Sequence, residues 1–177
     1  MRNIINLTIL FSSTMLFSQT KNIKFNLPTY IINGAELGFE LSNQKGSTAH
    51  EFSVFFLKAH SFDSGDNYNQ LGFEYKLKNY LFNDRALNGF YIAAPTVNYS
   101  SYKREYKNFN EEIKSAGIGA LLGYQFFLLP ISNHNLTLDI NLGGNIQFPY
   151  KTNLDKDSGL VLVPKYLRFN IAVGYAF

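Results

Sequence analysis

Cysteine is missing from all 177 residues, and so is tryptophan. Without cysteine there is no disulfide framework, no thiol chemistry and no lipoprotein anchor. Strong charge of one sign is missing too. Lysine and arginine number 16 against 13 aspartates and glutamates, a formal +3 with no basic run, which argues against a nucleic-acid partner. Histidine occurs three times, as His50, His60 and His134, on separate segments, so no metal or cofactor site is expected. Beyond residue 20 no apolar run approaches the ~20 residues of a membrane-spanning helix. No segment keeps apolar positions at i, i+3 and i+4 for more than a turn, which excludes amphipathic helices. The length fits one domain.

What is there begins with "MRNIINLTILFSSTMLFSQT". Arg2 supplies a positive start, Ile4 to Phe17 is mostly apolar, and small residues precede Gln19. This is the pattern of a secretory signal peptide, here residues 1–18, with residues 19–177 as the exported domain.

The exported part repeats one pattern. In "LGFEYKLKNYL", Leu71, Phe73, Tyr75 and Leu77 oppose Gly72, Glu74, Lys76 and Lys78. In "LTLDINLGGNIQ", Leu136, Leu138, Ile140 and Leu142 oppose Thr137, Asp139 and Asn141. Similar alternation runs through residues 35–42, 50–58, 89–100, 115–126 and 167–177. A period of two over about ten residues puts one face of each strand in an apolar medium, and such lengths suit a tilted membrane-crossing strand. Seven strands cannot close with both ends on one side, so an eighth is expected at about residues 22–32, irregular near Pro28. Connections 43–47, 82–88 and 128–134 read as short periplasmic turns, and 59–68, 102–112 and 148–164 as longer outer loops. The expected fold is all-β, an eight-stranded antiparallel up-and-down transmembrane barrel.

Eight strands leave an interior just wide enough for side chains. The parity puts Glu36, Glu40, Glu51, Glu74, Lys76, Lys78, Asp139 and Arg168 inside, as a mutually paired charge network that blocks conduction. Bulky Phe55, Ile92 and Leu121 join them, with glycines 38, 72, 117, 119, 123, 143 and 174 relieving the crowding. On the outward face Tyr91, Tyr124, Phe126, Tyr175 and Phe177 fall near the periplasmic rim and Tyr99 near the outer rim, as aromatic girdles do.

The stretches "GFYIAAPTVNYSSY", "GIGALLGYQF", "LTLDINLGG" and "LRFNIAVGYAF" carry a family likeness over residues 89–177. The chain resembles the small eight-stranded outer-membrane barrels of Gram-negative bacteria, the group that includes the OmpA barrel and OmpX. Within that group it looks closest to an uncharacterised domain-of-unknown-function family of small secreted barrels. The resemblance implies an outer-membrane location and no catalytic residues, and a monomer is expected. It also implies that Tyr175 and Phe177 form the C-terminal insertion signal recognised by the barrel-assembly machinery.

Other chemistry is less well supported. "GIGALLG" has Leu122 where a dinucleotide fingerprint needs its third glycine, and no helix follows. His60 and Ser61, with Ser64 and Asp63 or Asp66, would be the material for a lipid-modifying hydrolase, but neighbouring side chains on a strand point apart. Lys103, Arg104, Lys107, Lys114, Lys151, Lys156 and Lys165 could meet lipopolysaccharide phosphates, though Glu105, Glu111, Glu112, Asp155 and Asp157 lie among them. The expected function is structural or surface-interacting and non-enzymatic, with outer-membrane lipid and lipopolysaccharide as surroundings. The alternative in another class is a soluble secreted ligand-binding barrel, in which Leu136, Leu138, Ile140 and Leu142 would point inward.

Overall fold

The computed structural model describes residues 20–27, 34–43, 46–60, 67–85, 87–106, 109–131, 134–153 and 166–177. The expected signal peptide, residues 1–18, lies outside them. Eight strands form: β1 (Thr20–Asn26), β2 (Gly34–Ser42), β3 (Thr48–His60), β4 (Asn67–Arg85), β5 (Asn88–Tyr106), β6 (Phe109–Ile131), β7 (His134–Asn153) and β8 (Tyr166–Ala176). Each pairs antiparallel with its successor, and β1 pairs with β8, so the sheet closes into an up-and-down barrel. Closure is completed by a reciprocal backbone pair, Lys21 N to Phe177 O at 3.0 Å and Phe177 N to Lys21 O at 2.8 Å. Below, the "terminal end" is the end that holds Thr20 and Phe177, and the "far end" is the opposite one.

The pleat sorts the side chains as the alternation requires. On β7, Thr137, Asp139 and Asn141 are buried while Leu142 is 49% exposed. On β3, Glu51 and Ser53 are buried, and Phe52, Val54 and Phe56 face outward. The apolar face is therefore the outer one, and the inside is polar.

Three features depart from the sequence expectation. The first strand spans Thr20–Asn26 among the described residues, starting two residues before the expected 22–32. β1 is paired on both sides, with β2 and with β8. Residues 28–33 lie outside the described ones.

Second, segment 102–112 is not a long loop. β5 continues to Tyr106 and β6 starts at Phe109, with Tyr106 opposite Phe109. β7 likewise continues to Asn153. The sequence "YKREYKNFNEE" of the first segment is mostly polar at both parities, so it forms ladder without carrying the period-two signal of a half-buried strand.

Third, β5 is bulged. Lys76 faces Thr96 but Lys78 faces Ala93, and on the other side Gly119 faces Thr96 while Leu121 faces Ala93. Ala94 and Pro95 thus stand opposite one residue of each neighbour, and both are exposed. A one-residue insertion reverses the facing of everything beyond it. Tyr91 and Ala93 are therefore inside and fully buried, and Ile92 is not inward as its parity implied. With Ala49, Tyr80, Leu87, Leu121 and Ala176 they make a small apolar floor toward the terminal end.

Candidate functional site

The charged interior is built from every strand. Lys24 of β1 stands at its centre. Its Nζ lies 2.5 Å from Glu40 Oε2 of β2, 3.0 Å from Glu51 Oε2 of β3 and 2.5 Å from Asp139 Oδ2 of β7. The same ammonium donates to Gln125 Oε1 of β6 at 2.7 Å. Lys78 of β4 meets the same three carboxylates, at 2.6 Å from Glu51, 2.7 Å from Asp139 and 3.4 Å from Glu40. Lysine can do this because its four-carbon stem crosses half the barrel from an inward position, while its head accepts several partners.

The remaining charges extend the chain of alternating sign toward the far end. Lys76 lies 2.6 Å from Glu51, 3.3 Å from Glu74 and 3.9 Å from Glu36. Arg168 of β8 donates through Nη1 to both oxygens of Glu74 at 2.6 Å, and through Nη2 to Glu36 at 3.1 Å. Two tyrosines close the network from below. Tyr80 Oη donates to Glu40 Oε1 at 2.9 Å, and Tyr91 Oη to Asp139 Oδ1 at 2.6 Å, with the Lys78 ammonium 4.3 Å from the centre of the Tyr91 ring. A buried charge is tolerated only when paired and hydrogen-bonded, and each of these ions has partners of opposite sign.

Glu40, Glu51 and Asp139 bring carboxylate oxygens within 4.8 Å of one another, close enough to hold a metal ion. The Lys24 and Lys78 ammonium groups already lie among those oxygens, so the cations for this group are supplied by the chain itself.

Beyond the charges, toward the far end, the interior is lined by amides and hydroxyls. Here the inward glycines show their use. Asn98 of β5 and Gln147 of β7 both face Gly117 of β6, and Gln147 Nε2 donates to Asn98 Oδ1 at 2.9 Å across it. Thr96 Oγ1 donates to Asn145 Oδ1 at 2.9 Å across Gly119 in the same way. At the other end Asn22 of β1 donates to Thr137 of β7 at 3.1 Å over Gly174 of β8. A Cβ on Gly117 would stand 2.5 Å from Asn98 Oδ1, and one on Gly174 2.5 Å from Thr137 Oγ1. Tyr91 crosses Gly123 to reach Asp139, and the Phe55 ring covers Gly72. Glycines 117, 119, 123 and 174 are saddles over which side chains join strands that are not neighbours.

The eight charges named from the alternation, Glu36, Glu40, Glu51, Glu74, Lys76, Lys78, Asp139 and Arg168, are thus brought together. Lys24, Gln125, Tyr80 and Tyr91 complete the network and were missed. Lys24 had a signal, standing between Ile23 and Phe25 in strict alternation. Tyr91, assigned to the outer girdle, had none, because the bulge is not visible as a break in the apolar pattern.

The other girdle residues lie on the outer face. Tyr124 and Phe126 are 4.6 Å apart between ring centres, and Tyr175 and Phe177 are 6.1 Å apart, all near the terminal end. Tyr99 stacks on Phe73 at 5.5 Å. His50 of β3 bonds Tyr75 Oη of β4 at 2.9 Å, His134 of β7 stacks on Tyr175 of β8 at 5.2 Å, and His60 ends β3 with its backbone opposite Asn67. Residues 61–66, which include Ser61, Asp63, Ser64 and Asp66, lie outside the described ones. At the far rim Lys114 pairs with Glu112 at 3.3 Å.

Comparison of the chain with protein-family models, with curated proteins and with solved structures finds no match.

Proposed function

We propose that the chain is an integral outer-membrane barrel whose filled interior does not conduct, with a structural or surface-interaction role and no catalysis. The observation that carries this reading is the inversion of the fold. Leu37, Val54, Leu71, Phe73, Ile118, Leu122, Ile146 and Phe169 are half exposed or more around the outer wall, while nine charged side chains lie within. A soluble ligand-binding barrel needs the reverse, an apolar inside to receive a ligand and a polar outside to meet water. An apolar outer wall needs hydrocarbon around it, and a closed ladder leaves no unpaired edge in that medium. The aromatic residues near the terminal end fit a membrane–water interface there. The pattern-level likeness to the small eight-stranded outer-membrane barrels supports the same reading, with Tyr175 and Phe177 as insertion signal, the barrel-assembly machinery as transient partner, and lipopolysaccharide at the far rim.

Envelope fractionation and gel migration with and without boiling test the location. The expected result is an outer-membrane protein whose folded form migrates apart from the boiled one. A soluble periplasmic monomer without that shift would sink the reading. Planar bilayers test the plug: no stepwise conductance is expected, and an ion-selective current whose selectivity changes in Lys76→Glu would identify the network as a channel lining.

A further inference from the structure

With each interior group in its ordinary ionised form, the described network does not balance. Glu36, Glu40, Glu51, Glu74 and Asp139 supply five negative charges, and Lys24, Lys76, Lys78 and Arg168 supply four positive ones. One negative charge is left over in a place where an uncompensated ion costs several kcal/mol.

The structure also has a place to meet it. Above Gly38 lies a polar cavity of about 10 Å³, the space of roughly one water-sized body. It is bordered by Glu36, Glu51 and Asp139, by the amides of Asn26 and Asn141, and by Lys24 and Lys76. Gly38 differs from the other inward glycines. A Cβ there would meet nothing nearer than 3.5 Å, whereas at glycines 72, 117, 119, 123, 143 and 174 it would fall within 2.5 Å of an existing atom. No side chain crosses this saddle closely.

Two buried side chains at this spot each hold an oxygen with no hydrogen-bond partner. Asn26 is 4% exposed, its Nδ2 is held by Glu36 Oε2 at 3.0 Å, and its Oδ1 has no hydrogen-bond partner. Ser53, which faces Gly38 from β3, is 3% exposed with an unpartnered Oγ. The Asn26 carbonyl oxygen can only accept, and the Ser53 hydroxyl can turn a lone pair toward the same guest, so beside carboxylates they suit a positive one. The bordering ammonium groups do not supply it, since Lys24 and Lys76 are each already held by two or more carboxylates.

We propose that the cavity over Gly38 seats one monovalent cation of about the size of sodium, with Asn26 Oδ1 as a neutral ligand. The charge count selects the valence, because a single positive charge brings the network to zero and a divalent ion would overshoot it. The inference rests on the interior alone and stands or falls separately from the membrane reading.

The test uses the folded full-length barrel in detergent or lipid. Its unfolding midpoint is measured in sodium chloride and in choline chloride at equal ionic strength, and crystals are grown with thallium(I) for anomalous diffraction. A midpoint that rises with sodium and saturates is expected, as mass action requires for a ligand of the native state. An anomalous peak over Gly38 is expected as well. Glu36→Gln removes one charge and should abolish the sodium dependence, while Glu112→Gln at the far rim should leave it intact. Equal midpoints in the two salts together with no thallium peak at Gly38 would overturn the proposal, and a proton on one carboxylate would then carry the balance.

Discussion

Lys24, in the ionic layer, touches side chains on four other strands, while Asn98, in the amide layer nearer the far end, reaches only the next strand but one. The difference is one of side-chain length. A long ammonium stem crosses the axis and ties opposite walls together, so the ionic layer depends on the whole circle being present. A short amide spans only a glycine saddle, so the other layer stiffens β5, β6 and β7 locally. The two meet where Asn145 Nδ2 donates to Glu74 Oε1 at 3.3 Å. Closure and local stiffness are thus assigned to different chemistry along one axis.

The largest effect is expected for Lys24→Met. Among the described residues it leaves Glu40 and Asp139 with Lys78 as their only close lysine and Glu51 with Lys76 and Lys78, and breaking buried ion pairs in this one-sided way costs about 3–5 kcal/mol. Urea unfolding of the refolded barrel in lipid vesicles measures it. A cost no greater than that of Asn98→Ala would erase the distinction between layers.

Outside the barrel, Leu142→Arg should cost about 2–4 kcal/mol in the same assay if its position is near the middle of the bilayer. That change leaves both interior layers untouched. A neutral outcome in lipid would break the contrast between inside and outside on which the membrane reading rests.

Within the amide layer, Gly117→Ala should cost about 1–3 kcal/mol, since its Cβ would displace the Asn98–Gln147 bond. Asn98→Ala should cost about 1 kcal/mol. Combined, the two should cost less than their sum, because Gly117→Ala has already removed what Asn98→Ala removes. Strict additivity would show that the glycine is not there for that bond.

The smallest effect is expected at the far rim. Lys114→Ala removes a partly exposed pair with Glu112, and a change within about 0.5 kcal/mol is expected by the same unfolding measurement. A large loss there would mean that loop-side charge, rather than the interior, holds the barrel together.

Much of this architecture is legible in the residues because a period of two is hard to produce by other means. The strict alternation of "LGFEYKLK" and "LTLDIN" states which side chains go in, and the in-facing set then states what must pair. Lys24 was readable on the same grounds, but it sits in the strand whose limits were least certain, next to Pro28. Tyr91 was not readable. Nothing in "YIAAPTV" says that Ala94 and Pro95 share one place in the ladder, because alanine and valine suit either face. The β5–β6 hairpin was hidden for the opposite reason. In "YKREYKNFNEE" both parities are mostly polar, and a strand with no preferred face looks like a loop.

The β1–β8 seam has a consequence in time. β1 can pair with β2 early, since few residues separate them, but its second neighbour is the strand farthest away in the chain. Until β8 arrives, β1 presents an open row of backbone donors and acceptors, and Lys24 has only part of its set of partners. Pairings between distant segments form late, because the chain must surrender the freedom of everything between them first. An unpaired edge is also where a second chain can add itself. The barrel is therefore most exposed to misassembly just before completion, with its outer wall already apolar and one edge still open. Any factor that shields that single edge until β8 docks protects the whole molecule.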